Sequence, residues 1–168
     1  MTIPDSARPA AEAPIHVRDS GPDDLDAVLA ILPRLAAFEL PPKRVAEDLW
    51  RHDAALLRAK VAGERPDCHV RVAEGEDGAL LGVAILTLRP EPMSGAPSAH
   101  LEVLAVAEGA EGRGVGRALM EATEAVAAGH GARSVTLHVF ANNDRARRLY
   151  ERVGYASEIH RYIKHLDD

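Results

Sequence analysis

The sequence holds a single cysteine, Cys68, and only three lysines, Lys43, Lys60 and Lys164, among 168 residues. One thiol excludes an intramolecular disulfide and any multi-cysteine zinc site, and it fits a reducing compartment. Hydrophobic residues make up 46% of the chain, yet there is no run of 18 apolar residues of the kind that spans a bilayer. The opening "MTIPDSARPAAEAP" lacks the continuous apolar core of a signal peptide. Residues 1–14 are therefore expected to be a disordered leader, and residues 15–168 a single domain of a cytoplasmic protein. Positive charge is also in deficit. Twenty basic against 26 acidic side chains give a net charge of −6, which argues against a nucleic-acid partner and mildly favours neutral or cationic ligands, although solubility alone accounts for it.

What is present is an alternation of strand and helix patterns. "IHVR" reads as a short strand. Leu25, Val28, Leu29, Leu32 and Leu35 then recur at helical spacing behind Asp23, Asp24 and Asp26, with Pro33 set to interrupt the helix. "PPKRVAEDLWRHDAALLRAKVAG" predicts one or two helices, and residues 68–88 a hairpin. "AHLEVLAVA" is a third strand, followed by a glycine loop and a helix over about 115–128. "RSVTLHVF" is another strand, "NNDRARRLYERVGY" an Asn-capped helix ending at Gly154, and "ASEIHRYIKHL" a last strand. This order predicts an α/β sheet containing both antiparallel and parallel pairs.

"EGRGVGRALM", residues 111–120, places glycines directly before a helix, where bare amides and the helix dipole suit an anion such as a diphosphate. It is not a Walker A loop, because no lysine is near. It is not a dinucleotide fingerprint either: counted from Gly112 the sixth position is Arg117, and no acidic residue ends the next strand. His100 and Glu102 spell H-x-E, but the P-C-x-x-C of zinc deaminases is missing, so no metal is expected. Cys68 beside His69 is read as a buried structural thiol, since adjacent strand residues face opposite ways. Trp50, Leu49 and Leu56 are read as core.

The loop from Glu111 to Gly116, behind "LEVLAV", resembles the cofactor motif of the GNAT superfamily of N-acetyltransferases, Gln/Arg-x-x-Gly-x-Gly/Ala. A second family motif is matched by Asn143, Ala146, Leu149, Tyr150, Glu151, Gly154 and Tyr155, in the right order and with a strand between. "HLEVLAV" and "LAAFE" are similar to segments of the spermidine/spermine acetyltransferase branch. Two positions depart from the pattern. Glu111 stands where the family has Gln or Arg, setting a negative charge beside the expected diphosphate, and Glu108 replaces a proline. The implied fold is a mixed, mostly antiparallel twisted sheet with a central splayed parallel strand pair, flanked by helices on both faces.

The resemblance implies acetyl-CoA as cosubstrate. Its diphosphate would lie against Glu111, Gly112, Arg113, Gly114, Val115, Gly116 and Arg117, and its pantetheine arm along the backbone of Leu104, Ala105 and Val106. Asn143, Ala146 and Tyr150 would add contacts from the second motif. For both arginines, a solvated helix face is an equal alternative. Acetyl transfer to an amine needs a base, a polarised carbonyl and an acid. Glu102 and His100 are both candidates for the base, on one strand face; unpartnered burial would raise the pKa of Glu102. The Leu104 amide would polarise the thioester carbonyl, and Tyr150 would protonate the leaving thiolate. Phe38 and Glu39 are candidates for an acceptor pocket. The expected activity is transfer of an acetyl group to a primary amine of a small molecule in a ternary complex. A protein or peptide acceptor is the alternative within the enzyme class, and a non-catalytic acyl-CoA sensor the alternative outside it. Nothing in the sequence names the acceptor. A homodimer is carried by the resemblance alone, with no interface legible in the residues.

Overall fold

The computed structural model describes residues 13–167. The leader expected over residues 1–14 falls almost wholly outside them. The described chain divides into two compact units, one ending at His138 and one beginning at Val139. No described helix is long and apolar enough to cross a membrane.

The larger unit is built on five strands in the order β1-β2-β3-β4-β5: β1 (His16–Asp19), β2 (Cys68–Glu74), β3 (Leu80–Pro90), β4 (Pro97–Val106) and β5 (Val135–Leu137). The first four pair antiparallel, and β4 pairs with β5 in parallel. Helix α1 (Leu25–Ile31) gives way at Pro33 to a 3-10 turn, Leu32–Ala36, because the proline ring cannot continue the α-helical ladder. Helix α2 (Arg51–Val61) follows another 3-10 turn, Ala46–Leu49.

Helices cover both faces of the sheet. Val28, Ile31 and Leu32 with Ala54, Leu56 and Leu57 pack on Cys68, Val70, Val72, Val83, Ile85, Val103 and Ala105. Side chains alternate along a strand, so Gly82 faces the other way, toward helix α3 (Val115–Gly129). A Cβ there would meet Ala105 O and Val115 Cγ1 at 2.9 Å and Leu119 Cδ1 at 3.0 Å. The bare backbone of β3 thus lets α3 approach, and Leu119 and Met120 are sealed beneath it. Cys68 is fully buried, and burial pushes its thiol up to about 11, which fits a structural residue.

The smaller unit holds helix α4 (Asp144–Arg152). Asn143 caps it, its Oδ1 accepting from Ala146 N at 3.3 Å. Gly154, at φ +99°, ends it, with Tyr155 N donating to Tyr150 O at 2.9 Å. The last strand expected from "ASEIHRYIKHL" is not formed. Residues 155–167 have no regular structure, and Tyr162 and Leu166 are about 90% exposed. Alternation gives a segment strand propensity, but a strand needs a partner for its backbone, and among the described residues none pairs with this one. As a result β5 ends the strand order.

Filling the gap under α3 is the most direct test of this packing. Gly82→Ala should destabilise the protein by about 1–3 kcal/mol in urea unfolding, because the new methyl meets backbone and branched side chains that cannot both retreat.

Candidate functional site

Strand β4 carries the site through two irregularities. Its parallel pairing with β5 covers only Ala99, His100 and Leu101, so residues 102–106 have no strand partner on that side among the described residues. Its register with β3 slips between Ile85 and Leu86, which pair with Val103 and Leu101, leaving Glu102 as the extra residue of a β-bulge. Ala107 N donates to Leu81 O at 2.9 Å. Counting back along the alternation, the amides of Leu104 and Val106 point away from β3, to the edge that β5 has left.

Beyond β4 the chain enters the glycine loop. Gly112 (φ +74°) and Gly114 (φ +79°) both take the left-handed conformation, which disfavours any side chain there. Gly114 is the N-cap of α3 and makes no side-chain cap bond, and the first helical bond is Ala118 N to Gly114 O at 3.0 Å. The amides of Val115, Gly116 and Arg117 therefore have no intrahelical acceptor and stand at the positive end of the helix dipole. Such donors fit a diphosphate. Glu111 would seem to oppose it, but Arg34 Nη2 lies 2.5 Å from Glu111 Oε1 and Arg34 Nε donates to Val106 O at 3.4 Å. Arg34, which the sequence reading did not single out, neutralises the one misplaced charge of the loop. Arg113 is half-buried. Arg117 is exposed and pairs along its own helix with Glu121 at 2.9 Å.

The bulge residue has company. Thr87 Oγ1 donates to Glu102 Oε1 at 2.6 Å, and Arg89 Nη1 lies 3.5 Å from the same oxygen. The partnerless burial expected of Glu102 is thus corrected: the residue is half-buried and has both Thr87 and Arg89 as partners. His100, opposite Thr87 in the register, is buried, with Nδ1 2.7 Å from Thr136 Oγ1. Burial, then Arg89, push its pKa down to about 4, so His100 is neutral at physiological pH and only a weak base. Asp53, in the first turn of α2, was not picked out by the sequence reading. It is buried, and among the described residues no hydrogen-bond donor reaches its carboxylate. Burial, then the charge of Glu102, raise it to about 6. Its spacing was a signal: Asp53 precedes Leu56 and Leu57 by three and four positions, on the face that packs against the sheet.

Phe38 and Glu39 follow the 3-10 turn Leu32–Ala36, half-buried and exposed respectively. Within the smaller unit, Ala146 is half-buried in α4. The ring centroids of Tyr150 and Tyr155 are 6.2 Å apart, and burial pushes the Tyr150 phenol up to about 12. Among the described residues no three His, Cys, Asp or Glu side chains converge as a metal site requires.

A mixed sheet with a parting parallel pair and a bulged strand thus leads into an uncapped glycine loop before a helix. Residues 29–155 match the model of the acetyltransferase (GNAT) family, and the chain belongs to that family. It is 34% identical over 152 residues to a mycothiol acetyltransferase of Propionibacterium freudenreichii subsp. shermanii, covering 84% of this chain and 42% of that protein. It is 40% identical over 123 residues to the mycothiol acetyltransferase of Beutenbergia cavernae, covering 73% and 36%. The chain thus spans about two fifths of the length of these curated relatives. Solved structures share the fold at low identity. A ribosomal-protein-alanine N-acetyltransferase from Brucella melitensis biovar Abortus 2308 aligns with TM-score 0.67 at 19% identity, over 91% of this chain and all of that one. An aminoglycoside acetyltransferase from an uncultured soil metagenomic sample aligns with TM-score 0.65 at 19% identity, over 91% and 97%.

The depressed His100 pKa has a definite sign. The unfolded chain takes up a proton near the reference value of about 6.5, whereas the native ring resists until about pH 4, so this group removes stability as pH falls through that window. His100→Gln should flatten the acid side of the urea-stability profile between those values, and the His100 ring should stay neutral at pH 5.5 by NMR.

Proposed function

We propose that the chain acts as one N-acetyltransferase domain that moves an acetyl group from acetyl-CoA to a primary amine of a small molecule, by direct attack within a ternary complex. The observation that carries this reading is the continuity of donors from the open edge of β4 to the uncapped start of α3. Bound acetyl-CoA would supply the activated thioester. The loop amides from Gly112 to Arg117 and the start of α3 hold the diphosphate, with Asn143 and Ala146 contributing through the second motif. The backbone of Leu104, Ala105 and Val106 takes the pantetheine arm as an added strand would. The Leu104 N–H stabilises the charge that develops on the carbonyl oxygen. Glu102, held in place by Thr87 and Arg89, receives the ammonium of the acceptor. Tyr150 donates to the departing thiolate, and its raised pKa keeps the phenol protonated at neutral pH.

A small-molecule acceptor is favoured by the name of the curated relatives, mycothiol acetyltransferase, and a cationic one by Glu102. A polyamine of the spermidine/spermine type, amino-sugar amines and peptide N-termini belong in the acceptor panel. The rival reading, an acyl-CoA sensor without turnover, drew its support from Glu111, and the Arg34 pair removes that support. The reading places the enzyme in the reducing cytoplasm, where Cys68 stays a thiol.

Thiol release from acetyl-CoA in the presence of the amine panel tests the proposal. Amine-dependent release is expected, while tight binding without release would establish the sensor instead. Tyr150→Phe should slow turnover roughly tenfold or more and leave acetyl-CoA affinity within about threefold, as for loss of a proton donor.

The loop charges give a separate prediction. Arg34→Ala should weaken acetyl-CoA binding roughly tenfold in calorimetry by exposing the carboxylate of Glu111 to the diphosphate, and adding Glu111→Gln should restore most of the loss. Additive losses in the double variant would show that the two residues act independently.

A further inference from the structure

The two carboxylate oxygens of Glu102 meet different surroundings. Oε1 accepts the Thr87 hydroxyl at 2.6 Å and lies 3.5 Å from Arg89 Nη1. Oε2 has no hydrogen bond or ion pair among the described residues, and the side chain keeps 17% of its surface exposed. The two groups on Oε1 are not equivalent. Arg89 is half-exposed, and at 3.5 Å its contact is an ion pair rather than a directed hydrogen bond, so water and salt screen it. Thr87, on β3, is fully covered, with 2% of its surface exposed. It stands in register with Cys68 on β2 and His100 on β4. A thiol is a weak acceptor, and His100 Nδ1 is already engaged with Thr136 Oγ1 at 2.7 Å. The Thr87 hydroxyl proton therefore has Glu102 as its one side-chain partner among the described residues, and a buried hydroxyl loses heavily when its bond is broken.

The β-bulge makes an anchor of this kind necessary. In a regular strand the alternation fixes which face a side chain takes, but Glu102 is the extra residue between Leu101 and Val103 and has no register partner of its own on β3. Its direction is set by what its side chain grips. Resting on the acetyltransferase reading above, in which Glu102 receives the ammonium of the acceptor, we propose that Thr87 is the positioning residue of the acceptor site: its hydroxyl holds Oε1 and so presents Oε2 to the ammonium. Thr87 does not touch the acceptor and acts through Glu102 alone. Without the bond the carboxylate is free to sample other rotamers and must be ordered again by each acceptor that binds, a cost that falls on amine affinity. The acetyl-CoA path along the Leu104, Ala105 and Val106 backbone involves neither side chain, so binding of the two substrates separates.

Thr87→Val keeps the branched shape and removes only the donor. In thiol-release assays it should raise KM for the amine roughly tenfold, as for loss of a hydrogen bond to a charged group, while KM for acetyl-CoA stays within about twofold. Thr87→Ser, which keeps the hydroxyl, should restore most of the loss. In a Glu102→Ala background Thr87→Val should change kcat/KM by less than about twofold, because nothing is left to position. An equal rise in both KM values, no rescue by serine, or additive losses in the double variant would mark a merely structural threonine and overturn the proposal. A second measurement needs no variant and no turnover. In NMR of the wild-type chain, the Thr87 hydroxyl proton should exchange slowly with water, and saturating ethanolamine should shift the Glu102 carboxyl carbon while that proton stays protected. A fast-exchanging hydroxyl, or a carboxyl carbon that ethanolamine leaves unmoved, also overturns the proposal. If wild type releases no thiol with any amine, the acetyltransferase reading fails, and the NMR titration still judges Thr87 as the residue that sets Glu102 for an ammonium.

Discussion

β4 stays bonded to β3 through Val106 while its pairing with β5 stops at Leu101, and the remaining features of the site depend on that mismatch. A strand held on one side and released on the other keeps its geometry but exposes donors in a fixed row, at no further cost in ordering. The same strand then delivers the chain to Gly112 and Gly114, whose left-handed turns start α3 without a side-chain cap. Backbone donors therefore run from an edge that suits amides to a helix start that suits phosphates. The bulge at Glu102 adds the reactive side chain. In a regular strand Glu102 would share a face with Leu104. The extra residue instead turns it toward Thr87 and lets Val103 and Ala105 stay in the core behind it.

Charge is arranged by pairing near the loop and by its absence near α2. Arg34 lies across the end of β4, touching both Val106 O and Glu111, so the loop presents its amides without a net negative neighbour. On the sheet face, Arg89 pairs with Glu102, and His100 is kept neutral by burial and by that arginine. Asp53 is the acid left over.

Much of this was legible in the residues. The two motifs placed the family and the loop, and Pro33, Asn143 and Gly154 marked their boundaries because each acts through local backbone chemistry. The final strand failed because alternation in "ASEIHRYIKHL" reports propensity and says nothing of a partner. His100 and Glu102 were found by their polarity in an apolar strand, but their balance was not, because Thr87, Arg89 and Thr136 reach them from other strands. Arg34 pairs with Glu111 across 77 positions, a distance at which no local pattern carries information. Asp53 lay within reach of pattern reading, as a charge on the apolar stripe of α2.

Burial of Asp53 can be weighed. Raising its pKa from 3.8 to about 6 corresponds to about 3 kcal/mol of lost stability at neutral pH, against roughly 0.3–1 kcal/mol returned by an acid in the first turn of a helix. The helix alone does not account for the residue, since asparagine would occupy the position without the charge. The sign of the linkage is opposite to that of His100. Native Asp53 takes its proton near pH 6 and the unfolded chain only near 3.8, so this group adds stability as pH falls through that interval, while His100 removes it. Over the range where the two overlap they offset one another. Protonation of Asp53 near pH 6 therefore offsets part of the loss of stability that His100 brings on mild acidification.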